Sequence, residues 1–236
     1  MKIFVDSPLA VLFDSDAAAR LAQTNDTRFA TDDGVLTVDA ARWQQAQAYE
    51  RETWLTYNRD ATDDRNGQHA AAFGNYATLP ATLGDVVELG CGAFTNLRYI
   101  VQGRTVDSIT LLDPLLNDYE AQMTHCTYKG WRLGETAVTG VASTIEAWET
   151  DRQFDTLVMI NTLAHCHDAH RVFDTIRRVL KRDGYLVFHE TARPAPVADY
   201  YDVGHPIAVE QWVLDTFLSE FETVYQQPNY FIGRRK

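Results

Sequence analysis

The chain has 236 residues, 45% of them hydrophobic, enough for one substantial core and a modest extension rather than two complete domains. A formal net charge of −12 gives an overall field that repels phosphate, which disfavours a protein that grips nucleic acid along its backbone. Three cysteines (Cys91, Cys126 and Cys166) form no Cys-x-x-Cys pair, so neither a disulfide framework nor a thiolate zinc site is expected, and a cytoplasmic setting follows.

In chain order, Met1 to Val5 is interrupted by Asp6 and Pro8 before an apolar signal region can form, and no stretch approaches the roughly 20 apolar residues that span a bilayer. Short apolar runs, Arg28-Phe29-Ala30-Thr31 and Val35-Leu36-Thr37-Val38, flank Asp33-Gly34, a hairpin signal. Residues 39–57 favour helix, with Trp43, Trp54 and Tyr57 as large contacts whose simplest role is packing. Asp60 to Gly67 reads as a loop, followed by a helical segment from Gln68 to Tyr76 that ends before Pro80.

After Gly84 strands and helices alternate. A β-rich run from Asp85 to Leu89 ends in Gly90-Cys91-Gly92, and a helix from Thr95 to Val101 follows. The next strand, Ser108 to Leu112, leads into Asp113, and Ala137 to Val141 is a weaker third. Phe154 to Ile160 is a strong fourth strand. Ala169 to Lys181 carries Val172, Phe173, Ile176, Val179 and Leu180 at helical spacing, and Asp183-Gly184 stops that helix before a strand from Tyr185 to His189. A second amphipathic helix carries Val209, Trp212, Val213, Thr216 and Phe217, and strands near Phe221–Tyr225 and Tyr230–Gly233 close the chain. This alternation predicts a doubly wound, mostly parallel α/β sheet covered on both faces, with ligands at the C-terminal strand ends where the order reverses.

Glycines at 90 and 92 permit a tight turn and close approach of backbone to ligand. A dinucleotide fingerprint would place a third glycine at 95, where Thr95 stands. Asp113, at a strand end, suits ribose hydroxyls, and ribose is common to nicotinamide dinucleotides and to S-adenosylmethionine (SAM). Cys91 reads as a small packing residue.

The ordered set Glu88-Leu89-Gly90-Cys91-Gly92, Leu111-Leu112-Asp113-Pro114, Ala142-Ser143-Thr144-Ile145-Glu146, Phe154-Asp155 and Arg178-Val179-Leu180-Lys181-Arg182-Asp183-Gly184 resembles the motifs of class I SAM-dependent methyltransferases over residues 84–236. The resemblance implies a seven-stranded Rossmann-like sheet with an antiparallel C-terminal strand. It implies a SAM-binding domain at 81–236, with residues 1–80 as a hairpin and helical extension capping the active site. It also implies that Gly90, Cys91 and Gly92 line the methionine moiety, that Glu88 either orients that loop or reaches the amino group directly or through water, and that Asn96 is a further cofactor contact. Asp113 would take the ribose, and Ser143, Thr144 and Ile145 would flank the adenine. The family often has an acid where Ser143 stands, and Glu146 is the substitute here. Asn161, Thr162 and Leu163 would face the sulfonium and the acceptor.

The activity so implied is methyl transfer to an oxygen or nitrogen of a small-molecule acceptor (a metabolite or sugar), with S-adenosylhomocysteine (SAH) as product. His165, His167 and His189 follow strands four and five on the acceptor side and are the candidate general bases, His165 first, because adjacent side chains at His189-Glu190 point opposite ways. His205 lies in a loop positioned to close over the site. His165-x-His167 lacks an accompanying acid cluster, so no metal is expected. The alternatives are a SAM-binding module without catalysis and, against the absence of a third glycine, a nicotinamide-dependent oxidoreductase.

Overall fold

A computed structural model describes residues 38, 40–192 and 203–236 in full, and the backbone alone of short strands at 2–3, 29–30, 35–36 and 200–201. These first strands are β1 (Lys2–Ile3), β2 (Phe29–Ala30) and β3 (Val35–Leu36). Helix α1 (Ala40–Glu52) runs into a π-helical turn, Thr53–Tyr57, and α2 (Asn66–Ala72) into a 3-10 turn, Gly74–Tyr76. The alternating region comprises β4 (Thr82–Leu89), α3 (Leu97–Ile100), β5 (Thr105–Leu112), α4 (Leu116–Gln122), β6 (Arg132–Leu133), β7 (Thr136–Val141), β8 (Phe154–Ile160), α5 (Ala169–Val179) and β9 (Leu180–His189). It is followed by β10 (Tyr200–Tyr201), β11 (Ala208–Val209), α6 (Gln211–Leu218), β12 (Phe221–Gln227) and β13 (Tyr230–Arg235).

The main sheet has eight strands in the order β12-β13-β9-β8-β4-β5-β7-β6. Strands β4, β5, β7, β8 and β9 pair in parallel, and β13 inserts antiparallel between β9 and β12. The eighth strand is one more than the resemblance implies: the two-residue β6 folds back antiparallel on β7 at the sheet edge. The central strands are apolar runs because both of their faces are covered. Val86, Val87 and Leu89 of β4 and Leu157, Val158 and Met159 of β8 are fully buried. One face packs α5 and α6 through Val172, Phe173, Ile176 and Phe217, and the other packs α2, α3 and α4 through Ala70, Leu97, Ile100 and Leu116. The chain winds outward from β4 through β5 to β7 and then resumes at β8 on the other side of β4, so the order reverses at the C-terminal end of β4.

Two expected elements differ, and the hairpin pairing is found. Strand β9 begins at Leu180, not after Asp183-Gly184, because a bulge absorbs that turn: pairing with β8 passes from Phe154↔Leu180 to Thr156↔Tyr185, with Asp183 at φ 62°. Val209 belongs to β11 rather than to the following helix, and α6 buries Val213, Leu214 and Phe217 while Trp212 is exposed. The hairpin strands β2 and β3 do pair antiparallel, Phe29↔Leu36 and Ala30↔Val35, and β11 adds to β3; the Asp33-Gly34 turn lies outside the described residues. Strand β1 pairs with β10, so backbone from the start of the chain joins the segment that follows β9. Among the described residues no helix is long and apolar enough to cross a membrane.

Candidate active site

At the end of β4 the backbone turns sharply, with Gly90 at φ 68° and the N–H groups of Gly90 and Cys91 both donating to the Leu112 carbonyl, at 2.7 and 3.2 Å. Gly90 is required by its neighbour: a Cβ there would stand 2.0 Å from Thr162 Cγ2. Gly92, at φ 56°, faces open space, with no atom within 4 Å of a Cβ built on it. Its N–H donates to Asp113 Oδ2 at 3.0 Å, while Leu115 N–H donates to Oδ1 at 2.8 Å. These two bonds fix the carboxylate of Asp113 beside the glycine turn. Burial raises the Asp113 carboxyl to about 6, against the two amide bonds that favour its ionised form.

Behind this turn Glu88 is wholly buried. It accepts from the Thr95 hydroxyl, and its Oε1 accepts from Asn96 N–H at 3.1 Å and Asn96 Nδ2 at 3.0 Å. Burial pushes Glu88 up to about 7, opposed by those bonds. Glu88 thus holds the loop and the start of α3 in place and stays off the cavity wall. The Asn96 Oδ1 so oriented is buried without a hydrogen-bond partner, and Asn96 lines the cavity.

That cavity, about 370 Å³, opens over the C-terminal ends of β4, β5 and β8. Such a volume suits a cofactor-sized ligand. Among the expected residues it gathers Gly90, Cys91, Gly92, Asn96 and Asp113 with Thr144, Ile145, Asn161 and Thr162. Glu146 joins this wall, its Oε1 accepting from His167 N–H at 2.8 Å and Asp168 N–H at 3.3 Å. Asn161 adopts φ 55°, a left-handed conformation that asparagine tolerates better than most side chains, and its N–H donates to the His189 carbonyl at 3.0 Å. Thr162 Oγ1 lies within 3.1–3.3 Å of the carbonyls of Leu89, Gly90 and Ile160, which ties the ends of β4 and β8 together. Burial holds the Cys91 and Cys166 thiols well above their usual range, so neither is poised as a nucleophile.

Other expected residues lie elsewhere. Leu163 is wholly buried in the core, and Ser143, whose Oγ donates to the Thr144 carbonyl at 3.0 Å, is outside the wall. Of the three candidate bases only His165 lines the cavity. Its Nδ1 is 2.9 Å from the Gly204 carbonyl and 3.6 Å from Glu50 Oε1, and its ring lies 4.3 Å from that of His205. His167 turns away, its Nε2 3.6 Å from Glu146 and its ring against Trp43, because the chain beyond the 3-10 turn Leu163–His165 heads into α5. His189 ends β9 beneath the wall, buried against His69 and Tyr230. Burial and the neighbouring His69 push the His189 imidazole down to about 3. Among the described residues no group of three or more His, Cys, Asp or Glu is placed to hold a metal ion.

The roof comes from residues that carry no recognisable motif. Trp43, Tyr49 and Glu50 of α1 line the cavity, as do Asp64, Arg65, Asn66 and His69 around the start of α2. Helix α1 is tied down by Trp43 Nε1 donating to the His165 carbonyl and by Arg42 Nη1 donating to the Val203 carbonyl, both at 3.1 Å. The run Asp63-Asp64-Arg65-Asn66 is the local trace of this wall in the sequence, but nothing in it specifies which way the side chains face.

The cavity holds carboxylates, imidazoles and a glycine turn at a strand-order reversal, a setting for an organic ligand with ribose-like hydroxyls. No curated protein matches the chain in sequence. In fold it is similar to the N-methyltransferase NodS from Bradyrhizobium japonicum WM9 in complex with SAH, with a TM-score of 0.57, 16% identity and coverage of 81% of this chain and 98% of that one. It is also similar to the 1,6-didemethyltoxoflavin-N1-methyltransferase of Burkholderia thailandensis with bound 1,6-didemethyltoxoflavin and SAH, with a TM-score of 0.55, 19% identity and coverage of 86% and 95%. The methyltransferase-domain family model matches residues 35–225. Over most of its length, therefore, the chain belongs to the methyltransferase-domain family, on the fold of the class I SAM-dependent methyltransferases.

Proposed function

We propose that this protein transfers a methyl group from SAM to an oxygen or nitrogen of a small-molecule acceptor and releases SAH. The observation that carries the reading is the coupling of Asp113 to Gly92: a fixed, buried carboxylate beside a glycine with open space in front of it, inside a cavity of cofactor size. The donor set fits SAM. Asp113 keeps lone pairs for ribose hydroxyls, Thr144, Ile145 and Glu146 form an adenine wall, and the unpartnered Asn96 Oδ1 is an acceptor for an ammonium or hydroxyl. When bound, SAM supplies an already activated methyl group, so the protein's task is alignment and exclusion of water.

In this reading residues 1–80 act as the cap, through α1 and the start of α2, and the Gly204-His205 strap closes the same side. His165, bonded to Gly204 and beside Glu50, braces the cap over the ribose end. A small acceptor is favoured because the roof leaves a bounded chamber and the acidic chain is ill suited to polyanions. The fold relatives named above include an enzyme crystallised with a small heterocycle, which supports the same class of acceptor. Three free, buried cysteines suit the reducing cytoplasm.

Parallel calorimetric titrations with SAM, SAH and NADH test the cofactor assignment. Binding of the two sulfur ligands without NADH is the expected result, and binding of NADH alone would refute it. Transfer of radiolabelled methyl to small molecules of a cell extract tests the chemistry, and label found only in RNA or protein would contradict the acceptor class.

A further inference from the structure

Beyond the cofactor wall the cavity reaches a second polar group, built from three elements that meet only in the folded chain. His69 of α2 lines the cavity and is otherwise buried. Its Nδ1 lies 3.3 Å from the Tyr230 hydroxyl, and its ring centroid is 4.8 Å from that of His189 and 6.0 Å from that of Tyr230. His189 and Tyr230 face each other across the β9–β13 pair, rings 4.4 Å apart, and His189 Nδ1 is buried without a partner. Two imidazoles and a phenol at this density are costly unless used, because an unpaired buried polar atom costs about 1–3 kcal/mol.

The order of the strands orients this group relative to the cofactor wall. Asp113 follows β5, Gly90 to Gly92 follow β4, Asn161 follows β8, and His189 ends β9, so the four sites lie side by side across the sheet. A ligand with its ribose at Asp113 and its sulfur over the glycine turn has β8 and then the His69 group on its far side. His165 has its Nδ1 taken by Gly204 and lies close enough to Asp113 to favour that carboxylate.

We propose that His69 is the catalytic base of the methyl transfer and that its acceptor is an uncharged, weakly acidic O–H or ring N–H of the phenol type, with Tyr230 and His189 as positioning residues. With Nδ1–H donating to the Tyr230 oxygen, Nε2 keeps its lone pair for the acceptor. As the bond from the acceptor atom to the methyl carbon forms, the carbon–sulfur pair passes to sulfur. The acceptor's proton goes to Nε2, and its bonding pair stays on the acceptor atom. The groups facing His69 are Arg65 and Asp63 from the preceding loop, His189 from β9 and Tyr230 from β13. Burial first, and then the Arg65 charge, hold the His69 imidazole below its usual range, so it stays neutral and available. Arg65 also lines the cavity, 3.9 Å from Asp64 Oδ1, and its charge favours the anion that develops as a phenol or ring N–H loses its proton.

The inference rests on the methyl-transfer reading, and the test separates the two. Protein labelled with 15N-histidine is saturated with SAH and titrated with phenol and, separately, with benzylammonium. The His69 ring signals, assigned by their loss in His69→Gln, are expected to move with phenol alone. Turnover with tritiated SAM on a panel of phenols and ring N–H heterocycles is then compared between variants. His69→Gln should lose about 100-fold or more in kcat while keeping its SAH affinity, the range for removing a positioned base. Tyr230→Phe, which keeps the ring, should lose about tenfold, and His125→Gln, at an exposed position off the cavity wall, should keep kcat within a few-fold. SAH binding with no response at His69, a response to benzylammonium alone, or wild-type kcat in His69→Gln would each overturn the His69 role. Failure of the wild type to bind SAH would overturn the methyl-transfer reading and this role with it.

Discussion

Two glycines only two positions apart should fail in different ways. Both have positive φ, 68° at Gly90 and 56° at Gly92, so alanine at either site carries the left-handed penalty of about 1–2 kcal/mol. At Gly90 the new Cβ also meets Thr162 at 2.0 Å from Cγ2 and 2.6 Å from Oγ1, an overlap that must displace the tie between β4 and β8. Overpacking of this kind adds about 1–3 kcal/mol. Gly90→Ala should therefore cost about 2–5 kcal/mol and, at roughly 2–4 °C per kcal/mol for a chain of this size, lower Tm by about 4–20 °C. Gly92→Ala meets nothing, so its Tm should fall only by the conformational share, about 2–8 °C. Its methyl group instead enters the space in front of Asp113, and SAH affinity measured calorimetrically on the folded variant should fall about tenfold to 100-fold, or roughly 1.4–2.8 kcal/mol. Adding Thr162→Ala to Gly90→Ala removes the two closest overlapping atoms and leaves only the Cβ contact at 2.9 Å, so the double variant should be more stable than the sum of the two single changes. If Gly92→Ala bound SAH as tightly as wild type, the cofactor would not lie against that turn. If Gly90→Ala melted within about 2 °C of wild type, the packing argument would be wrong.

Three further outcomes follow from the buried ionisable groups. Asp113→Asn turns an amide nitrogen toward one of the two N–H donors now held by the carboxylate, and SAH affinity should fall by at least about tenfold in the same titration. Glu88 is raised to about 7 in the folded state, so the native protein holds a proton that the unfolded chain releases from about 4.5 upward, and this group's contribution to stability falls as pH rises through that window. Glu88→Gln keeps an acceptor for Asn96 and removes the buried charge, so the Tm difference between variant and wild type should widen in favour of the variant from about pH 5 to pH 8; a constant difference would refute the burial argument. His189 has the opposite sign: its folded value of about 3 lies below the ordinary 6.5, so stability is lost as pH falls below 6.5, and His189→Phe should flatten that acid-side loss in thermal melts.

The centre of the sheet was legible because its strands are buried on both faces and therefore written as largely apolar runs. Phe154 to Ile160 carries its own boundaries, since Ile160 gives way to Asn161 where the backbone turns left-handed. Strand β9 was only half legible. Asp183-Gly184 is a turn signal by composition, and only the pairing partner β8 decides that the turn is a bulge inside a strand rather than a gap before one. The site divides in the same way. Gly90, Gly92 and Asp113 could be read because a tight turn and a strand-end acid need particular residue types at close spacing. His165, His167 and His189 were grouped because they follow neighbouring strands, yet the side on which a histidine emerges depends on strand pleat and on the 3-10 turn after β8, and the three fan out to a wall, a helix start and the core. His69 could not be read at all: it meets His189 and Tyr230 because α2 packs over the inserted strand β13, a contact between segments with no shared pattern in the sequence.

This division has a physical cause and a consequence for specificity. The strand-end residues are constrained twice, by the backbone geometry of a parallel sheet and by the ribose and glycine-turn contacts of a nucleoside ligand, so little freedom remains in their types. The roof is constrained only by having to stay attached. Its anchors include Trp43 to the His165 carbonyl, Arg42 to the Val203 carbonyl, Tyr225 Oη to the Ala72 carbonyl at 2.6 Å, and the short β11–β3 pairing. Between those anchors Glu50, Asp64 and Arg65 can be exchanged without disturbing the sheet, and they are charged groups that the roof turns to the cavity. On the proposed function, acceptor choice would accordingly belong to the roof. Substitutions there should redirect which molecule is methylated while leaving SAH affinity near wild type, whereas substitutions at the strand ends should abolish methylation of every acceptor alike.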